Sequence, residues 1–125
     1  MFKKINPNPQ NNSDGDCTIR AIALALGKTW YEAYIDLCIQ GLIMARMPSS
    51  NKTWMQYLKD HGWKRYSIPD DCPECYTIGD FCGEFFRGTY LVGTGSHLVC
   101  VKDGCVLDTW DSRSEVPIFY WKESK

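Results

Sequence analysis

The sequence predicts an α+β domain on three observations. Capped helical patterning fills the earlier part of the chain, and from Thr89 onward the apolar period shortens to that of strands separated by Gly, Ser and Asp turns. Asp103-Gly104 between two apolar runs specifies a tight two-residue hairpin. Ala21–Leu26 is apolar on every side, so the helix that carries it has to be enclosed by protein. The expected architecture is a set of N-terminal helices, with a buried central helix opened by Cys17, packed on a C-terminal antiparallel sheet.

A chain of 125 residues, 44% hydrophobic and 14% aromatic, supports one core, so a single domain is expected over 1–125 with residues 1–13 as a polar arm. Net charge is −1 with both signs mixed, which gives no electrostatic footprint for nucleic acid or for an anionic membrane. The opening residues are rich in Lys, Asn, Pro and Asp, and no later apolar run spans a bilayer. Neither a secretory signal nor a membrane anchor is expected, and the predicted location is cytoplasmic. Seven cysteines, an odd count, then read as reduced thiols.

In chain order, Asn6-Pro7-Asn8-Pro9 and Asn11-Asn12-Ser13-Asp14-Gly15 are turn formers with little to bury. Asp16 is the expected N-cap of the first helix, and Gly27 its stop. Cys17, in the first turn, meets the positive end of the helix dipole, which favours thiolate; a small buried cysteine merely opening a core helix is the plain alternative. Thr29-Trp30-Tyr31-Glu32 matches a capping box, and a second helix follows over about Trp30–Met44, burying a stripe of Trp30, Ala33, Tyr34, Leu37, Cys38 and Gly41. After the break at Pro48-Ser49-Ser50-Asn51, a third helix buries Trp54, Tyr57 and Leu58 and ends at Gly62, with His61 in its last turn meeting the dipole. Ile68–Tyr76 reads as an irregular connection, and Thr77 caps a short helix to about Phe86. The predicted strands are Thr89–Gly93, His97–Lys102, Cys105–Trp110 and Val116–Trp121.

The Asp103-Gly104 turn fixes a register in which Lys102 faces Cys105, Val101 faces Val106, Val99 faces Asp108 and His97 faces Trp110. Alternation then puts His97, Val99, Val101, Val106, Asp108 and Trp110 on one face, with Cys100, Cys105 and Asp111 on the other. A histidine and a carboxylate on an otherwise apolar face are costly unless paired, and as diagonal neighbours His97 and Asp108 are within reach of one another. An Asp holding one ring nitrogen leaves the other to take a proton from a thiol; the plain alternative is a His–Asp bond that only ties two strands.

A Cys opening the buried helix (Asp16-Cys17), a His at a strand start (His97-Leu98-Val99) and an Asp on the next strand (Asp108) together resemble a papain-like cysteine peptidase. Small bacterial and phage-borne members are most similar, including the peptidase domains of bacteriocin exporters, and the resemblance runs from about Ser13 to Trp121. It implies a peptidase or amidase that cleaves a peptide, isopeptide or related amide through a Cys17–His97–Asp108 triad and a thioester, on a peptide or protein substrate and without a cofactor. The family has a Gln six residues before the Cys as an oxyanion-hole donor. Asn11 stands there and Gln10 just before it, so the resemblance leaves Gln10 or Asn11 for that role, where one donor is worth about 100- to 1000-fold in rate. Thr18 replaces the small residue that often follows the Cys.

Two other readings are open. One is a catalytically weak or inactive interaction or inhibitory protein on the same fold, with exposed aromatics such as Trp110 and Trp121. The other is a zinc-stabilised adaptor centred on Cys72/Cys75, half the spacing of a zinc knuckle; with no second close pair, no metal site is expected.

Overall fold

The computed structural model describes residues 1–12, 15–68 and 76–124. Its elements run β1 (Phe2–Lys4), α1 (Cys17–Leu26), α2 (Trp30–Met44), α3 (Asn51–Asp60), β2 (Trp63–Ser67), α4 (Ile78–Glu84), β3 (Thr89–Gly93), β4 (Leu98–Lys102), β5 (Cys105–Asp108) and β6 (Phe119–Glu123). The chain is therefore α+β. The sheet has six strands in the order β1-β5-β4-β3-β6-β2, with β1 parallel to β5 and the other pairs antiparallel.

Local chemistry sets the helix ends. Thr29 and Glu32 form the expected reciprocal box on α2, and Thr77 and Asp80 do the same on α4. Gly27 closes α1 in the left-handed conformation, with φ of 67°. Asp103 and Gly104, with φ of 50° and 74°, give the primed turn that the right-handed twist of a hairpin requires, and Lys102↔Cys105 and Val101↔Val106 pair as expected.

The two faces of the sheet carry separate cores. Leu91, Leu98, Cys100 and Trp121 share one core with α1, α2 and α3, in which α1 lies on β3 and β4, α2 packs on α1 and α3, and Trp54 of α3 meets Trp121. Val92, Val99, Val101 and Val106 pack with Ile78 and Phe81 of α4. The pleat makes this division, since Leu91↔Cys100 and Val92↔Val99 are successive pairs pointing to opposite sides.

Several expectations are corrected. Part of the N-terminal segment read as a polar arm is built into the fold: Phe2–Lys4 is an edge strand, and Asn8 is buried. The sheet is consequently mixed, not wholly antiparallel. β2 was not foreseen, because Lys64 and Arg65 break the apolar pattern on a strand at the sheet edge. The last strand starts at Phe119, not Val116, and Trp121, expected to be exposed, is fully buried, its ring 6.1 Å from that of Trp54 on α3. Asp16 makes no side-chain cap to α1, because its carboxylate is taken elsewhere. The Cys72/Cys75 pair lies outside the described residues.

Gly93 pairs with Phe119 across β3 and β6, and the Phe119 ring lies where a Cβ on residue 93 would be. Gly93→Ala is expected to cost about 1–3 kcal/mol by overpacking, measured as a lowered urea midpoint with an unchanged slope.

Candidate active site

Cys17 is the first residue of α1, and what fixes that end of the helix is Asp16. Its buried carboxylate accepts from Asn8 Nδ2 (3.2 Å), from Trp30 Nε1 (2.9 Å) and from the Arg20 guanidinium one turn on. Burial opposes the charge on Asp16, but these donors outweigh it and hold the carboxyl below its ordinary pKa. One residue thus ties the N-terminal segment, α1 and α2 together directly beside the thiol.

His97 is set by the turn before β4. The Thr94 N–H donates to the His97 carbonyl (2.8 Å), and the His97 N–H donates back to Thr94 Oγ1 (3.0 Å). From there the ring reaches Asp108, with Nε2 2.7 Å from Oδ2. Asp108 is buried at the end of β5 and also accepts from Ser112 Oγ (2.9 Å) and the Thr109 N–H (2.7 Å). Burial opposes its charge too, yet the His97, Ser112 and Thr109 bonds keep its pKa below the ordinary value. A carboxylate only accepts, so His97 Nε2 carries a proton and Nδ1 is the nitrogen left for another partner.

That partner is Cys17, whose thiol lies on the same cleft as the His97 ring and Leu98, near enough that each lowers its pKa. Burial acts to raise the thiol pKa, but the His97 bond, the Leu98 N–H and the imidazolium charge together leave it below the ordinary value. Burial likewise favours neutral His97, and the Asp108 and Cys17 contacts override it, pushing the ring up to about 9. Both shifts favour a thiolate–imidazolium pair at neutral pH. Elsewhere burial dominates: it raises Cys82 and pushes Cys100 up to about 12.

The three residues meet at the end of the sheet. Val99, Val101 and Val106, the strand neighbours of the His–Asp pair, face α4, whereas Cys17 arrives from α1 on the opposite side. Strand alternation places His97 beside Asp108, and only the ends of β4 and α1 let Cys17 join them. The Trp110 ring lies 5.2 Å from that of His97 at 34°. Asp111 pairs with Arg113 at the surface instead.

Cys17 and His97 line a cleft of about 310 Å³ whose walls include Asn51, Trp54, Gly95 and Phe119. Asn51 Oδ1 accepts from Trp54 Nε1 (3.0 Å), which turns the amide so that Nδ2 is the uncommitted end. The structure brings Cys17, His97 and Asp108 together and places Gln10 and Asn11 apart from them. Both are exposed, Asn11 Oδ1 accepts from Asn6 Nδ2 (3.3 Å), and Asn11 lines a separate hollow with Thr109 and Trp110. Ser112 and Asn51 were missed in the sequence: Ser112 follows Asp108 by four residues across a turn, and Asn51 looks like a helix-start residue without a partner.

Among the described residues, no group of three or more His, Cys, Asp and Glu side chains is placed to hold a metal ion, and no helix is long and apolar enough to cross a membrane. Comparison of the chain with protein-family models, with curated proteins and with solved structures found no match.

Proposed function

We propose that the protein is a cysteine hydrolase of papain-like type, acting on a peptide, isopeptide or related amide. The observation that carries this is the chain of contacts from Cys17 to His97 to Asp108, with Nε2–Oδ2 at 2.7 Å, opening into a cleft. Cys17 Sγ attacks the substrate carbonyl, forming the S–C bond. His97 gives its Nδ1 proton to the leaving nitrogen as the C–N bond breaks, leaving a thioester. Water then attacks the thioester, His97 takes its proton, and the S–C bond breaks to release the acid and regenerate the Cys17 thiolate beside the His97 imidazolium. Asp108 keeps the ring oriented and stabilises its charged form.

The tetrahedral oxyanion needs donors. The uncapped first turn of α1 offers the Cys17 backbone N–H, and Asn51 Nδ2 on the cleft wall offers the side-chain amide that Gln10 and Asn11 are not placed to supply. The positions of Gln10 and Asn11 favour one alternative, a papain-like protein that binds through this cleft without turnover.

The test is hydrolysis of a fluorogenic peptide and isopeptide library by the wild type, Cys17→Ala and Asn51→Ala. Turnover abolished in Cys17→Ala and reduced roughly 100-fold in Asn51→Ala supports the assignment. Turnover that survives Cys17→Ala refutes it, and peptide binding without turnover selects the non-catalytic alternative.

A further inference from the structure

α2 buries Ala33, Leu37 and Gly41 and turns the opposite side outward. That side is apolar: Tyr31, Ile35, Ile39, Leu42 and Ile43 are all at least half exposed, Leu42 and Ile43 to 81% and 74%. Their spacing of four, four, three and one residues makes one continuous stripe on a helix. With Met47 just beyond, the exposed parts amount to roughly 800 Å², what one partner contributes to an interface of standard size and more than the largest apolar patch of a typical monomer.

We infer that this stripe is the interface of a two-fold dimer in which α2 of one copy lies antiparallel to α2 of a second copy, crossing at Ile39. The charges choose this occupant. Exposed Glu32 lies in the first turn of the helix and exposed Arg46 just past its last, and the exposed residues between them carry no charge. Antiparallel pairing brings Glu32 of each copy to the end where the other has Arg46. Parallel pairing stacks like on like. About an axis at Ile39, Ile35 of one copy meets Ile43 of the other, twice, and Ile39 meets itself, which is the self-complementarity an isologous interface demands. A helix lying on a membrane surface carries Lys and Arg along its polar side, and Trp30–Met44 contains neither.

Sedimentation equilibrium of the full chain at micromolar concentration is expected to give twice 14.4 kDa. Ile39→Glu, which sets two carboxylates against each other at the axis, is expected to halve that mass while leaving the far-UV circular dichroism and the Cys17 alkylation rate unchanged. Arg46→Glu is expected to weaken the dimer, and Glu32→Lys added to it to restore it. A wild-type mass of one copy overturns the inference, as does a dimer that persists in Ile39→Glu. Binding of a monomeric chain to phosphatidylcholine vesicles that Ile39→Glu abolishes also overturns it, assigning the stripe to lipid.

Discussion

Replacing Asp16 with Ala is expected to destabilise the protein by about 3–5 kcal/mol, the cost of stranding a buried charge, out of a total of about 5–15 kcal/mol for a domain of this kind. The buried Arg20 guanidinium, Asn8 Nδ2 and Trp30 Nε1 all lose the same acceptor. Asp16→Leu with Arg20→Met, which removes both charges, is expected to cost less than Asp16→Ala alone. Urea unfolding of the three proteins checks this. The same pair gives a sign to acid sensitivity. The folded pKa of Asp16 lies below its ordinary value of 3.8, so its contribution is complete above that pH and is lost as the pH falls through the lower folded value.

Asp108→Ala is expected to lower kcat on any substrate found by about 100-fold or more and to move the pH profile. Without the carboxylate, only the Cys17 contact opposes the lowering by burial, and the His97 pKa falls from about 9. The imidazolium proposed to protonate the leaving group is then lost at lower pH, so the alkaline limb of the profile is expected to shift downward. Asp108→Asn keeps an acceptor for Nε2–H and is expected to retain more activity than Asp108→Ala while showing the same direction of shift. A variant with reduced kcat and an unmoved alkaline limb contradicts the role given to Asp108.

Legibility in the sequence followed the range of the interactions. The boundaries of α1 and α2 and the β4–β5 register are set by residues close in the chain, such as Thr29 with Glu32 and Asp103 with Gly104, and these were readable. The His97–Asp108 contact follows from that register. What depends on distant partners was not readable. Phe2–Lys4 is a strand only because β5 offers it an edge, and Trp121 is buried because Trp54 of α3, far away in the chain, packs against it. Asp16 has the composition of a cap, but Asn8, Arg20 and Trp30 compete for its carboxylate and win. The cleft wall likewise draws Asn51 from α3, far in sequence from both Cys17 and His97.

The central claim is that His97 makes Cys17 a thiolate near neutral pH, and the alkylation rate of each cysteine against pH, in wild type and in His97→Ala, tests it most directly. Because the Cys17 pKa is below its ordinary value, its alkylation is expected to rise at lower pH than that of the other cysteines. At pH 7 it should exceed that of an ordinary thiol by about 10-fold or more. His97→Ala removes the largest influence that lowers it and leaves burial opposed only by Leu98 and Thr18, so the rise should move to higher pH and the advantage at pH 7 disappear. A Cys17 no faster than its neighbours, or unaffected by His97→Ala, contradicts the account.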